Sequence, residues 1–391
     1  MYTMDPLEVA GGWVNGYDPV PLPPGPHESP RQALDRILLP HLEKSPCLVA
    51  FSGGRDSSVL LAAAVTLARR ESLPTPVPIT LSYPDAADTD ETTWQHTVLS
   101  HLGLTDRIVL TVHDEHDPLG PVGTRVLRRH GLIWPPNFTP TYRMLEHARG
   151  GTLLTGEGGD EAFGLKRITP LTKLLSARAR VPVAVYRDAA RTLAPAALRR
   201  RAAFRDRYRR PWLRPETEAL LSRRDAEDLA AYSLHAARNT WQFATRRCAR
   251  IGYETIRSLA SEMDTAYVQA FAEPPLVASV AAAAGRWGWT GRTAAMRALF
   301  GDLLPREVLE RRTKALFANA VFRHHTREFA RTWDGTGVDP TLVDPEALRA
   351  NWLSPTPHAP SMSLLQQAWL AGHPPAAPAQ PPLGGVAAPG T

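Results

Sequence analysis

LVAFSGGRDSSVLLAAA, Leu48 to Ala64, is the stretch on which the rest of the chain is organised. Leu48 to Phe51 is a continuous apolar run too short for a helix, Gly53 and Gly54 break it, and helix formers with apolar periodicity run on from Ser57. The pattern predicts a buried strand, a tight turn and a helix. Backbone N–H groups at a helix start lack partners and the macrodipole there is positive, so such a turn suits phosphate oxygens. Ser52, Ser57 and Ser58 add hydroxyl donors. Asp56 stands in the same turn, where a carboxylate would repel polyphosphate unless a divalent cation bridged the two. The turn therefore reads as a cradle for a magnesium-bound nucleotide. It is not a Walker A loop, because no Gly-Lys-Ser/Thr follows the glycines and Arg55 separates Gly54 from Asp56.

Ser52 to Ser57, SGGRDS, resembles the SGGxDS signature of the ATP pyrophosphatases, or PP-loop enzymes. That resemblance implies cleavage of ATP between its α and β phosphates and transfer of AMP to a substrate. The plainer alternative is a strand-to-helix turn with helix-capping serines.

A chain of 391 residues with 43% hydrophobic residues can bury a large core in one extended domain or in two or three units. Its two cysteines, Cys47 and Cys248, have no metal-like spacing and form no disulfide framework, which fits a reducing compartment. No signal-like start and no apolar run of membrane-spanning length is visible, so a cytoplasmic protein without a membrane partner is expected. Only four of the 45 basic residues are lysines, a bias that makes a lysine beside a motif informative.

Met1 to Glu28 is rich in Pro and Gly and reads as an irregular arm; Ser29 then caps a helix begun by Pro30. No cysteine precedes Cys47, so no glutaminase of the N-terminal-cysteine type is expected. Ile79 to Tyr83 and Arg107 to Val112 read as further buried strands, with a helix between them capped by Thr89 or Asp90 and ended by Gly103. The loop His113 to Asp117 is dense in metal-ligand types, but its spacing matches no metal site and a solvated turn explains it. Thr139 and Pro140 begin a helix, and Thr152 opens TLLTGEGGDEAFG, a strand running into a second glycine-rich turn. Repeated strand-helix-strand units imply a parallel, doubly wound α/β sheet with its ligands at the carboxyl ends of the strands. The second turn carries Glu157, Asp160 and Glu161, which call for magnesium, an amine or solvent, and Gly156 and Gly158 permit close backbone approach.

SGGRDSS followed by GEGGDEAFG is similar to the synthetase part of asparagine synthetases and their relatives, the β-lactam synthetases and lasso peptide cyclases, over about residues 46–317. The resemblance implies an adenine nucleotide α hydrolase-like sheet with a C-terminal helical bundle. It further implies that Asp56 and Asp160 hold magnesium, that Ser52, Gly53, Gly54 and Ser57 meet phosphate, and that the backbone near Leu81 meets adenine. LPREVLERRTKALF, Leu304 to Phe317, resembles the closing R-x-K-x-x-F of the family, which would place Arg312 and Lys314 at the phosphates. Arg250 to Pro275 stands where the family has a segment near G-x-E-x-R-x-P-F-L-D; Asp264 is the expected counterpart of its last residue, with Tyr253 or Glu254 as candidate base. That loose match argues against ordinary asparagine synthesis.

The resulting expectation divides the chain at 1–45 (arm and helix), 46–165 (nucleotide-binding α/β part), 166–375 (helical part) and 376–391 (disordered tail). It describes a magnesium- and ATP-dependent ligase that adenylates a carboxylate and joins it to an amine without glutamine, as a specialised peptide or natural-product ligase or cyclase would. An asparagine synthetase-like enzyme fed by ammonia or a separate glutaminase, a PP-loop RNA-modifying enzyme, and a non-catalytic scaffold are the alternatives. The second motif and the absence of paired catalytic cysteines count against RNA modification, and the charged ligands kept in all three motifs count against a scaffold. The basic run Arg187 to Arg214 reads as a solvated helix face or a docking surface for an acidic partner.

Overall fold

The structure, a computed structural model, describes residues 2–23, 28–177, 180–311 and 321–375. Five parallel strands form one sheet in the order β3-β2-β1-β4-β5, with β1 Cys47–Ala50, β2 Val77–Ser82, β3 Ile108–Thr111, β4 Thr152–Thr155 and β5 Ala266–Gln269. Strand periodicity separates two cores. Leu48, Leu153 and Tyr267 face one apolar cluster, whereas Cys47, Val49, Leu154 and Val268 face the other. Both faces are buried at the central strands β1 and β4, whereas the edge strand β3 leaves Val109 exposed. The helix Arg55–Arg70 follows β1 and buries Val59 to Val65 without interruption against the second cluster. The helix Pro30–Leu42 packs beside it, held at its start by a capping box between Ser29 and Gln32.

From β1 the chain winds outward to β2 and β3, then returns to place β4 on the other flank of β1. The crevice between the carboxyl ends of β1 and β4 is the point at which the winding reverses, where open α/β sheets take their ligands. The two glycine-rich turns flank that crevice.

Several details differ from the sequence-based expectation. Residues 2–23 are not wholly irregular: Pro6–Gly11 is a helix with a capping box between Asp5 and Glu8, and Gly12 closes it with a φ of 63°. The composition hides the Asp-Pro-x-Glu start signal, Asp5 to Glu8, among prolines and glycines. The helix expected to start at Thr89 or Asp90 is Thr92–Leu102, with Glu91 at its cap, because Ala87–Thr89 winds into a separate 3-10 turn.

β5 is a finding of the structure, within a stretch expected to be helical. Four residues are too few to show a period, and they follow the helix Arg247–Ser261 after a short turn in which Asp264 takes a φ of 54°. A division at residue 165 therefore does not part sheet from helices. Because β5 runs parallel to β4, exposed Asp264 lies at the amino end of the sheet, away from the glycine turns. Phe271, Ala272 and Glu273 follow beyond the carboxyl end of β5, and Glu273 stands at the cap of the helix Pro274–Ala284.

The His113 to Asp117 loop ties elements together. Asp117 accepts the backbone N–H groups of Arg323 and Thr326, each at 3.0 Å, and Tyr83 bonds His116 at 2.8 Å. Much of the basic run is also engaged internally: Arg210 is buried against Asp225 at 2.8 Å, Arg214 pairs with Asp344 at 3.0 Å, and Arg199 donates to the carbonyls of Ala194 and Ala230. Arg200 and Arg201 remain exposed. Among the described residues, no helix is long and apolar enough to cross a membrane.

Candidate active site

A cavity of about 1050 Å³ opens at the carboxyl ends of β1, β2 and β4. Its lining includes Ser52, Gly54, Asp56, Ser57, Leu81, Gly156, Glu157, Gly158, Asp160 and Tyr253 from the residues expected at the site. The turn after β1 is closed by its own hydroxyls: Ser52 Oγ lies 3.1 Å from Ser57 Oγ, Ser57 Oγ donates to the Gly54 carbonyl at 3.1 Å, and Gly54 N–H donates to Ser52 Oγ at 3.2 Å. Gly53 takes a φ of 84°, which a side chain would oppose. Ser58 faces away, fully buried, and its hydroxyl has no partner among the described residues.

The second turn presses onto the first. A Cβ at Gly159 would lie 2.5 Å from Asp56 Cγ, and one at Gly156 would lie 3.0 Å from the Asp56 carbonyl carbon and the Ser57 nitrogen. These glycines are therefore needed for the approach of two backbones, and the approach brings Asp56 and Asp160 together. The Arg292 guanidinium bridges both carboxylates. Burial pushes the Asp56 carboxyl pKa up, against the pull of Arg292. Arg292 begins the helix Arg292–Phe300, and Arg55 reaches the same helix through Thr293 at 3.0 Å.

Arg311 clamps the first turn from outside. Its guanidinium donates to the Gly53 carbonyl at 2.7 Å and makes a bidentate pair with Glu91, one arm at 2.7 Å, while stacking over Trp94. Arg312 and Lys314 lie outside the described residues.

Glu157 stands on the cavity wall, its surface turned to the cavity and its flanks enclosed by protein. Its carboxylate accepts the Tyr267 hydroxyl at 3.0 Å and the Gln269 amide at 2.5 Å. Desolvation pushes its pKa above the ordinary glutamate value, the opposing hydrogen bonds notwithstanding. Of the two candidate bases, Tyr253 lines the cavity but donates to Glu273, and burial raises its pKa still further from neutrality. Glu254 points outward and pairs with Arg250 at 2.7 Å, so it takes no part in the cavity. Tyr267, Gln269, Arg292 and Arg311 were not expected at the site. The first two sit at i and i+2 on β5, facing one side, and the strand's brevity concealed the pair.

The residues fit a magnesium ion. Asp56 and Asp160 converge on the Arg292 guanidinium from two loops, and the buried Oδ1 of Asp56 has no hydrogen-bond partner among the described residues. No cluster of three or more His, Cys, Asp or Glu that could hold a metal occurs among the described residues. Magnesium commonly takes one or two carboxylates and completes its shell with substrate phosphates and water, so the pair suffices.

A protein-family model described as Asparagine synthase matches residues 31–371. No curated protein matches the chain.

Proposed function

The chain belongs to the asparagine synthase family, whose members are ATP-dependent, amide-forming ligases, and from that premise we propose that it adenylates a substrate carboxylate and transfers the acyl group to an amine. The observation that carries this reading is the convergence of Asp56 and Asp160 beside a serine-glycine turn at the switch point of the sheet. In the first step a substrate carboxylate oxygen attacks the α phosphorus of ATP and pyrophosphate leaves. The N-terminus of the helix Arg55–Arg70, the Ser52 and Ser57 hydroxyls, and Arg292 offer donors to the phosphates, with adenine toward Leu81. Magnesium bound at Asp56 and Asp160 would neutralise charge developing on pyrophosphate. In the second step the amine nitrogen attacks the acyl carbon, its proton passes to the Glu157 carboxylate, and AMP leaves with the electron pair of the broken C–O bond. A carboxylate whose pKa is raised is a stronger base for that proton.

This chain does not open glutamine in the proposed reaction. Both cysteines are buried, and desolvation raises their pKa to about 12 for Cys47 and about 11 for Cys248, so neither is a ready thiolate. The amine is then ammonia, an amine supplied by another protein, or a group on the substrate itself, as in a cyclase or other specialised ligase. The expected result for purified protein with ATP, magnesium and a panel of carboxylates and amines is AMP and pyrophosphate in equal amounts, with no ammonia released from added glutamine. Formation of ADP, or glutamine hydrolysis by this chain, would overturn the proposal.

A further inference from the structure

The cavity is larger than an ATP-phosphate cradle requires, standing just above the ~300–1,000 Å³ common for ligand pockets. Its second half is chemically unlike the first. It is built from the loop that follows Ile133, the helix Arg247–Ser261, the turn before Met362, and the residues Gly12 and Trp13. Trp134, Phe138, Ile256 and Met362 are buried members of the core cluster, so this wall is fixed by packing on its far side. Trp134 is further held by donation of its Nε1–H to the Cys248 carbonyl at 2.8 Å. Gly252 leaves the wall low: a Cβ there would sit 3.4 Å from Pro135 Cδ and 3.6 Å from Trp134 Nε1. Among the described side chains lining these segments, none is charged; the polar ones are Asn137, Thr141, Cys248 and Tyr253.

Trp13 completes this half. Its ring meets Trp134 edge to face, with centroids 5.7 Å apart and planes at 89°. It is 41% exposed, so part of the indole is open to a ligand. The residue is placed with care by its neighbours. Gly12 turns the chain at the helix end so closely over Pro360 that a Cβ would fall 1.7 Å from the Pro360 carbonyl oxygen. Buried Glu8 accepts the Tyr2 hydroxyl at 2.7 Å, Arg247 donates to Tyr2 at 2.8 Å, and Arg247 N–H donates to the Gly16 carbonyl at 3.1 Å. The segment is thus bolted to the helix that forms the opposite wall. It also precedes the family-matched region, which starts at residue 31. An addition outside the shared domain supplies part of the cavity wall.

A small amino acid with free ammonium and carboxylate groups would find no charged side chain on these segments and would have to reach the glycine turn, where Glu157 and Glu161 line the cavity, to offset its lost hydration. An uncharged aromatic or bulky aliphatic body would instead bury apolar surface against fixed walls. We propose that residues 6–13 form a substrate-recognition element which, with Trp134 and the helix Arg247–Ser261, selects a carboxylate substrate carrying a bulky, uncharged, apolar or aromatic body next to the group that is activated. This rests on the adenylating ligase reading above, and deepens it by naming the substrate class.

The test compares three non-reactive adenylate mimics by calorimetric titration: sulfamoyladenosine, its N-indolylacetyl derivative and its N-aspartyl derivative. The indolylacetyl compound is expected to bind about tenfold or more tighter than sulfamoyladenosine, since burial of one aromatic group is enough for that, and the aspartyl compound no tighter. In Trp13→Ala the ratio of the indolylacetyl and sulfamoyladenosine dissociation constants should move toward one. Tightest binding by the aspartyl compound, or an unchanged ratio in Trp13→Ala, would overturn the substrate assignment while leaving the ligase reading intact. Failure of all three mimics to bind the parent protein would overturn both.

Discussion

Asp56→Asn is expected to lower carboxylate-dependent ATP–pyrophosphate exchange by about 10²–10³-fold or more, the scale on which loss of one preorganised electrostatic group at a reacting centre is felt. A neutral amide is a poor ligand for magnesium and cannot balance Arg292. Asp160→Asn should act in the same direction, since its carboxylate converges on the same point from the other loop. The fold should survive both changes. Arg292 keeps one carboxylate partner in each variant, Asp160 in Asp56→Asn and Asp56 in Asp160→Asn, and the amide at position 56 no longer carries the cost of a buried charge. Thermal unfolding near the parent temperature together with lost exchange is the expected pair of results. Full exchange in either variant would contradict the assignment of these carboxylates.

Glu157→Gln should separate the two half-reactions. Adenylation does not need a base, so pyrophosphate exchange should persist, while amide formation should fall by about 10²–10⁴-fold, the usual contribution of a positioned general base. The pH profile gives an independent reading. Desolvation raises the Glu157 pKa, and only the ionised form can take the proton, so the amide-forming rate should rise with pH through a value above that of an ordinary glutamate. Below that value the carboxyl is protonated and the step should fail even with adenylate formed. The limb should vanish in Glu157→Gln. Equal loss of both half-reactions would instead make Glu157 a nucleotide-binding group.

The elements that the sequence makes legible are those whose signal is local. Strand β1, its serine-glycine turn and the following helix show a period change and a glycine pair within 17 residues, Leu48 to Ala64. The acidic turn after β4 shows the same grammar, and parallel topology follows from the repetition. What escapes is whatever depends on distant pairing. β5 becomes a strand because β4 offers it an edge, and four residues carry no periodic signature of their own. Without β5 no sequence signal joins Tyr267 and Gln269 to Glu157, and the family-like segment points one helix away, to Tyr253 and Glu254. Arg292 and Arg311 resemble any other arginine in an arginine-rich chain; only the fold brings them across 236 and 258 positions to the groups they hold, Asp56 and the Gly53 carbonyl. Trp13 is hidden differently, in a proline- and glycine-rich stretch whose composition masks the capping box between Asp5 and Glu8.

The central claim is that an acyl-adenylate links the two half-reactions, and transfer of a labelled atom tests it most directly. The carboxylate that best supports exchange is prepared with heavy oxygen in its carboxyl group and incubated with the protein, ATP, magnesium and the amine. If the carboxylate attacks the α phosphorus, one labelled oxygen must appear in the phosphate of AMP as the amide forms. Label found in inorganic phosphate with ADP as the nucleotide product, or amide formed with no label in AMP, would contradict it.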